Sequence, residues 1–165
     1  MVSSEAFAGS TATATRPAIT TDGAGHRRDF DRFLERYEAA NSAFLNGDPV
    51  PWLAIVAEND PASIFGGFGG LGDVGVVGVH QRYLLAARAF LPSGAEVDID
   101  YLVKDVQGRI AYTVAIERAD VLYAGQTALH PQVLRVTMLF RFERGDWKII
   151  HRHADTMIDL QLPTP

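Results

Sequence analysis

The chain has 165 residues, 47% of them hydrophobic, with no cysteine and a formal net charge of −5. That length suits one domain with a real core. Lack of cysteine excludes disulfides, thiolate nucleophiles and thiolate metal sites, and the acidic balance argues against a nucleic-acid binder. No apolar run reaches the about 18 residues a membrane span needs, so a cytoplasmic protein that does not enter membranes is expected.

Met1 to Gly25 is rich in Ser, Thr, Ala and Gly. Such a stretch buries too little to offset its ordering entropy, and it lacks the charged start and apolar run of a secretory signal. Residues 1–26 are expected to be a flexible tail, 27–160 the folded domain and 161–165 a C-terminal tail. Arg28 to Leu45 has helical period, with Phe30, Phe33, Tyr37, Asn41 and Phe44 on one face. Asn46-Gly47 stops it. Asp48 and Pro49 signal a shorter helix running to about Ala57, which would bury Trp52, Leu53 and Val56. Ser63-Ile64-Phe65 begins a strand that dissolves into glycine around Phe68. Without the Lys-Ser/Thr of a P-loop, those glycines predict a bulged strand and loop. Val79 to Phe90 predicts a third helix, stopped by Pro92 and Gly94.

The remainder alternates as strands. Val97 to Val106 turns at Gln107-Gly108 into Ile110 to Leu122, and Leu134 to Asp155 forms a last hairpin. A three-residue turn at Glu143-Arg144-Gly145 separates polar from apolar side chains there. It places Arg135, Thr137, His151, His153 and Asp155 on one face, predicted to line a pocket floor. Val136, Met138, Phe140, Phe142 and Ile150 take the other face. Left exposed, that apolar set would be a large patch of the kind that marks an interface. A homodimer is expected through it.

The order of elements resembles the nuclear transport factor 2-like superfamily, which includes ketosteroid isomerase, scytalone dehydratase and SnoaL-type polyketide cyclases. The resemblance covers about residues 27 to 158, and its most specific stretch is Leu134 to Asp155 with Gly145-Asp-Trp-Lys-Ile-Ile-His-Arg-His. It implies an α+β cone: three helices on the concave face of a strongly curved, mostly antiparallel sheet. It also implies a pocket for a hydrophobic small molecule and dimerisation through the outer sheet face. Curvature would come from bulges and glycines. The isomerase set does not carry over, because Ala40 or Asn41 stands near the place of the helical tyrosine. The strand around Ile64-Phe65-Gly66 offers no acid.

Histidine chemistry is the sharper expectation. An unperturbed pKa near 6.5 suits proton transfer at neutral pH. His151 or His153 would act as base, Asp155 or Glu117 would orient the imidazole, and Arg135 or Tyr37 would polarise a carbonyl. Asn41, Trp52, Phe65, Phe68, Tyr112 and Thr137 would complete the walls. The ligand expected is a hydrophobic, carbonyl-bearing cyclic molecule, and the reaction a dehydration, isomerisation or cyclisation. The alternative is a non-catalytic binding module or dimeric adaptor. His151 and His153 could also converge on an ion, being about 6.6 Å apart along the strand. Asp155, at about 13 Å from His151, is too far to complete the set, so neither metal nor cofactor is expected.

Overall fold

A computed structural model describes residues 22–159, so residues 1–21 of the expected N-terminal tail and all of the expected C-terminal tail 161–165 lie outside the described residues. The first helix, α1 (Asp22–Phe44), begins six residues before Arg28 and takes in residues 22–26. Helix α2 (Val50–Ile55) follows, then β1 (Ser63–Phe65), β2 (Asp73–Val74) and α3 (Val76–Ala87). Strands β3 (Phe90–Leu91), β4 (Asp98–Gln107), β5 (Ile110–Tyr123), β6 (His130–Glu143) and β7 (Asp146–Thr156) complete the chain. Among the described residues no helix is long and apolar enough to cross a membrane.

The sheet runs β2-β1-β7-β6-β5-β3, with β4 also paired to β5. All pairings are antiparallel except that of β1 with β7, where Ser63 lies beside His151 and Phe65 beside His153. The helices pack on one face of this curved sheet, giving the α+β cone. Phe30 and Phe33 of α1 meet Phe140 at 5.1 and 5.4 Å between ring centroids, and Phe30 meets Trp147 at 5.1 Å. Contacts of this kind add to the area that large rings bury.

The turn after α1 is set by chemistry already visible in the sequence. Gly47 has φ +84, and a Cβ there would stand 2.8 Å from the Phe90 carbonyl oxygen. Asn46 beside it is saturated. Its Nδ2 donates to the Ser42 and Ala95 carbonyls, and its Oδ1 accepts from the Ser93 and Ala95 amides. These bonds tie the approach to β4 to the end of α1. Asp48 Oδ1 accepts from Val50 N at 3.0 Å and so caps the start of α2 from one position before Pro49.

Two irregularities decide which side chains face the helices. The β6–β7 turn has two residues, Arg144 (φ 52) and Gly145 (φ 87), with Glu143 opposite Asp146 and Phe142 opposite Trp147. Positive φ at both positions is the primed hairpin geometry, in place of the expected three-residue turn. Further along, the register shifts between Leu139 and Phe140: Phe140 lies opposite Ile149, but Leu139 lies opposite His151. Ile150 is thus an extra residue on β7, and one inserted residue reverses the alternation beyond it. Trp147 and Ile149 are buried before the bulge, Arg152 and Ala154 after it. A second shift between Tyr101 and Val103 bends β4.

The expected facing of the hairpin is therefore corrected. Arg135, Thr137, His153 and Asp155 do share one side, but it is the convex one. Val136, Met138 and Phe140 share the concave side and are buried against the helices. They cannot form the outer dimer surface assigned to them, and Phe142 is partly buried on the same core. Ile150 is the bulge residue, half-buried.

Candidate functional site

A partly open cavity of about 70 Å³ lies between α1, α2, α3 and the concave sheet. That space holds several waters, and a ring compound in it would extend into the open side. Phe44, Leu45, Phe90 and Leu134 give it apolar walls. Ala86 of α3 and Gly66, Gly67 and Phe68 of the loop after β1 also line it. The Phe68 ring meets Phe90 in a tilted contact at 5.6 Å and Tyr123 edge-on at 6.2 Å, which holds the loop beside the space.

The polar part of the wall is an ion pair that almost no water reaches. Arg152 is 7% exposed and Glu117 4%. Nη2 of Arg152 donates to Glu117 Oε2 at 2.7 Å, and Nη1 donates to Oε1 at 3.1 Å. The Tyr37 hydroxyl also donates to Oε1, and Arg152 Nη1 donates to the Tyr37 oxygen at 3.1 Å. The guanidinium lies 5.5 Å from the Trp52 ring centre, a cation–π contact. Burial by itself would raise the Glu117 pKa. The Arg152 charge and hydrogen bonds from Arg152 and Tyr37 outweigh it, so the carboxyl stays below its usual range. Burial pushes the Tyr37 phenol well up, with the Glu117 charge adding to it. At neutral pH Glu117 is a carboxylate and Tyr37 a phenol.

Three more polar atoms belong to the same wall. Asn41 Nδ2, Trp52 Nε1 and the Tyr83 hydroxyl are buried with no hydrogen-bond partner among the described residues. Buried polar groups are nearly always paired, and leaving one unpaired costs about 1–3 kcal/mol. All three line one cavity, where water or a bound molecule can supply partners. Burial pushes the Tyr83 pKa up to about 12, so its hydroxyl keeps its proton and remains a donor.

Of the residues expected from the sequence, Asn41, Trp52, Phe68 and Glu117 line this cavity. Tyr37 stands behind it, bonded to Glu117. The others do not meet there. Phe65 is half-exposed with its ring 5.3 Å from that of His153, and its neighbour Ile64 lines the cavity instead. Tyr112 is exposed on the outward face of β5. Arg135 and Asp155 form an ion pair at 2.6 Å on the convex side, in a shallow groove that also holds Thr137 and His153. The His151 Nδ1 lies 2.8 Å from Ser63 Oγ. Partial burial and neighbouring His153 lower its pKa from 6.5. These imidazoles sit behind the sheet, and the bulge at Ile150 put them there.

Arg152, Tyr83 and Arg82 are the site residues that sequence reasoning missed. One signal was present. Ala111, Thr113, Ala115 and Glu117 share a face of β5 built of small residues, which leaves room for a cavity. The partner of Glu117 was hidden by the reversed alternation of β7.

Residues 83–159 match a SnoaL-like domain family. Solved structures with the same fold include a nuclear transport factor 2-like protein from Salmonella enterica, 13% identical, with TM-score 0.68 over 84% of this chain and 96% of that one. A proposed dehydratase of the same family from Streptomyces avermitilis is 16% identical, with TM-score 0.65 over 81% and 99% of the two chains. A proposed scytalone dehydratase from Novosphingobium aromaticivorans is 15% identical, with TM-score 0.65 over 88% and 94%. No curated protein matches the sequence significantly.

Proposed function

We propose, from the shared fold and the match of residues 83–159 to a SnoaL-like domain family, that the cone cavity binds a compact, carbonyl-bearing ring compound. The observation that carries the reading is the set of three unpartnered buried groups on one wall, Asn41 Nδ2, Trp52 Nε1 and the Tyr83 hydroxyl. Apolar rings and aliphatic side chains would take the body of the ligand, and these groups its oxygen. Pockets of this composition, mostly apolar with a few convergent polar atoms, are the usual form of small-molecule sites. The Arg152–Glu117 pair supplies a fixed, dry field beside that oxygen.

Chemistry on the ligand is the second reading, favoured by the donor set itself. Tyr83 would polarise a carbonyl, and proton transfer would fall to Tyr83 and Glu117, since no histidine lines the cavity among the described residues. The low Glu117 pKa makes it a weak base. Binding is therefore the primary assignment.

Saturation-transfer NMR with acetophenone, an uncharged ring ketone, tests it. Wild type should show binding, and Tyr83→Phe should weaken it about fivefold, the worth of one neutral hydrogen bond. No binding, or a Tyr83→Phe variant as good as wild type, counts against the site.

We also propose a homodimer that buries the convex face, where Leu102, Val103, Ile110 and Tyr112 are exposed. Sedimentation of Tyr112→Glu against wild type tests this: a dimer should dissociate, and a wild type that runs as a monomer ends the proposal.

A further inference from the structure

We infer that the ligand of this cavity carries a carboxylate, gripped at the mouth by Arg82. The inference rests on the cavity being a ligand site and narrows what enters it. Arg82 of α3 lines the cavity and donates through Nε to Asp73 Oδ2 at 2.6 Å. Its Nη1 and Nη2 make no hydrogen bond among the described residues. Asp73 thus fixes the guanidinium plane through one edge and leaves the terminal fork open. That fork is the pair of donors that meets a carboxylate side by side. The glycine loop runs beside it: Gly70 has φ +91, and a Cβ there would be in ordinary contact with Arg82 Nη2 at 3.4 Å.

The rest of the wall points to the same chemistry. Asn41 Nδ2, Trp52 Nε1 and the Tyr83 hydroxyl offer hydrogens in the interior. Glu117, the one carboxylate on the wall, is already held by Arg152 and Tyr37. An amine would find no free counter-charge, whereas an acceptor-rich molecule meets donors at both ends.

Benzoate and methyl benzoate, titrated at neutral pH by calorimetry, separate charge from shape. Wild type should prefer benzoate by about tenfold, the lower range for a charge-assisted hydrogen bond. Arg82→Gln should erase that preference by weakening benzoate alone, and added salt should do the same in part. Asp73→Asn, which removes the competing carboxylate and keeps a side chain of the same shape, should tighten benzoate and leave the ester unchanged. If the ester binds as well as benzoate, or Arg82→Gln weakens both equally, the carboxylate assignment is overturned and the cavity reading stands. If neither compound binds, both fall.

Discussion

Arg152 holds both carboxylate oxygens of Glu117 across the whole width of β6, at 2.7 and 3.1 Å, with neither side chain open to solvent. An ion pair so placed does not advertise stability, because desolvating two charges offsets most of their attraction. Its value lies in what it fixes: the floor of the cavity, the Tyr37 hydroxyl and the face of Trp52.

Breaking the pair from one side should be costly. Arg152→Met strands a buried carboxylate and is expected to lower unfolding free energy by about 3–5 kcal/mol in urea titration. Combining it with Glu117→Leu should recover most of that loss. A double variant no better than the single one would show that the pair is not the source of the cost.

Stability should fall in two steps as pH drops. The folded pKa of Glu117 is depressed, so the unfolded chain takes up that proton first. Its contribution is complete above the ordinary value of 4.5 and is lost as pH falls through the folded pKa. His151 is also depressed, from 6.5, so a smaller loss should begin below that pH, where the unfolded imidazole charges more readily. Melting temperatures across this range should lack the upper step in His151→Ala and the lower one in Glu117→Gln.

The convex histidines should be silent in the cavity. His153→Ala is an exposed change expected to shift stability by less than about 0.5 kcal/mol, and His151→Ala to cost about 1 kcal/mol through the Ser63 bond. Neither should alter acetophenone affinity. A tenfold loss in either variant would return the imidazoles to the site.

The hairpin turn can be tuned in both directions. Arg144 is a non-glycine residue at φ 52, where Asn is better tolerated. Arg144→Asn should add up to about 1 kcal/mol and Gly145→Ala should remove about 1 kcal/mol. Thermal unfolding of the two variants reads both signs.

Much of the fold was legible. The helical face of Phe30, Phe33 and Tyr37, the Asn46-Gly47 stop and the long strands all follow from local period and turn chemistry, and all are present. So is the grouping of Arg135 and Thr137 with His153 and Asp155. The cavity was half legible. Asn41, Trp52, Phe68 and Glu117 are on its wall. Arg82 and Tyr83 fall within the expected helix from Val79 to Phe90 with no local signal of a role, and plain alternation along β7 turns Arg152 away from the histidine face.

Alternation is local, so the sequence alone grouped the side chains of β6, and those of β7 on each side of the bulge, by strand face. Which face meets the helices was decided only in three dimensions, by a two-residue turn and one extra residue at Ile150. Each moves the pairing by a single step, and a single step exchanges inside for outside. Burying Trp147 and Ile149 on one side of the bulge and Ala154 on the other outweighed the local pattern, carrying Arg152 in to Glu117 and the histidines out.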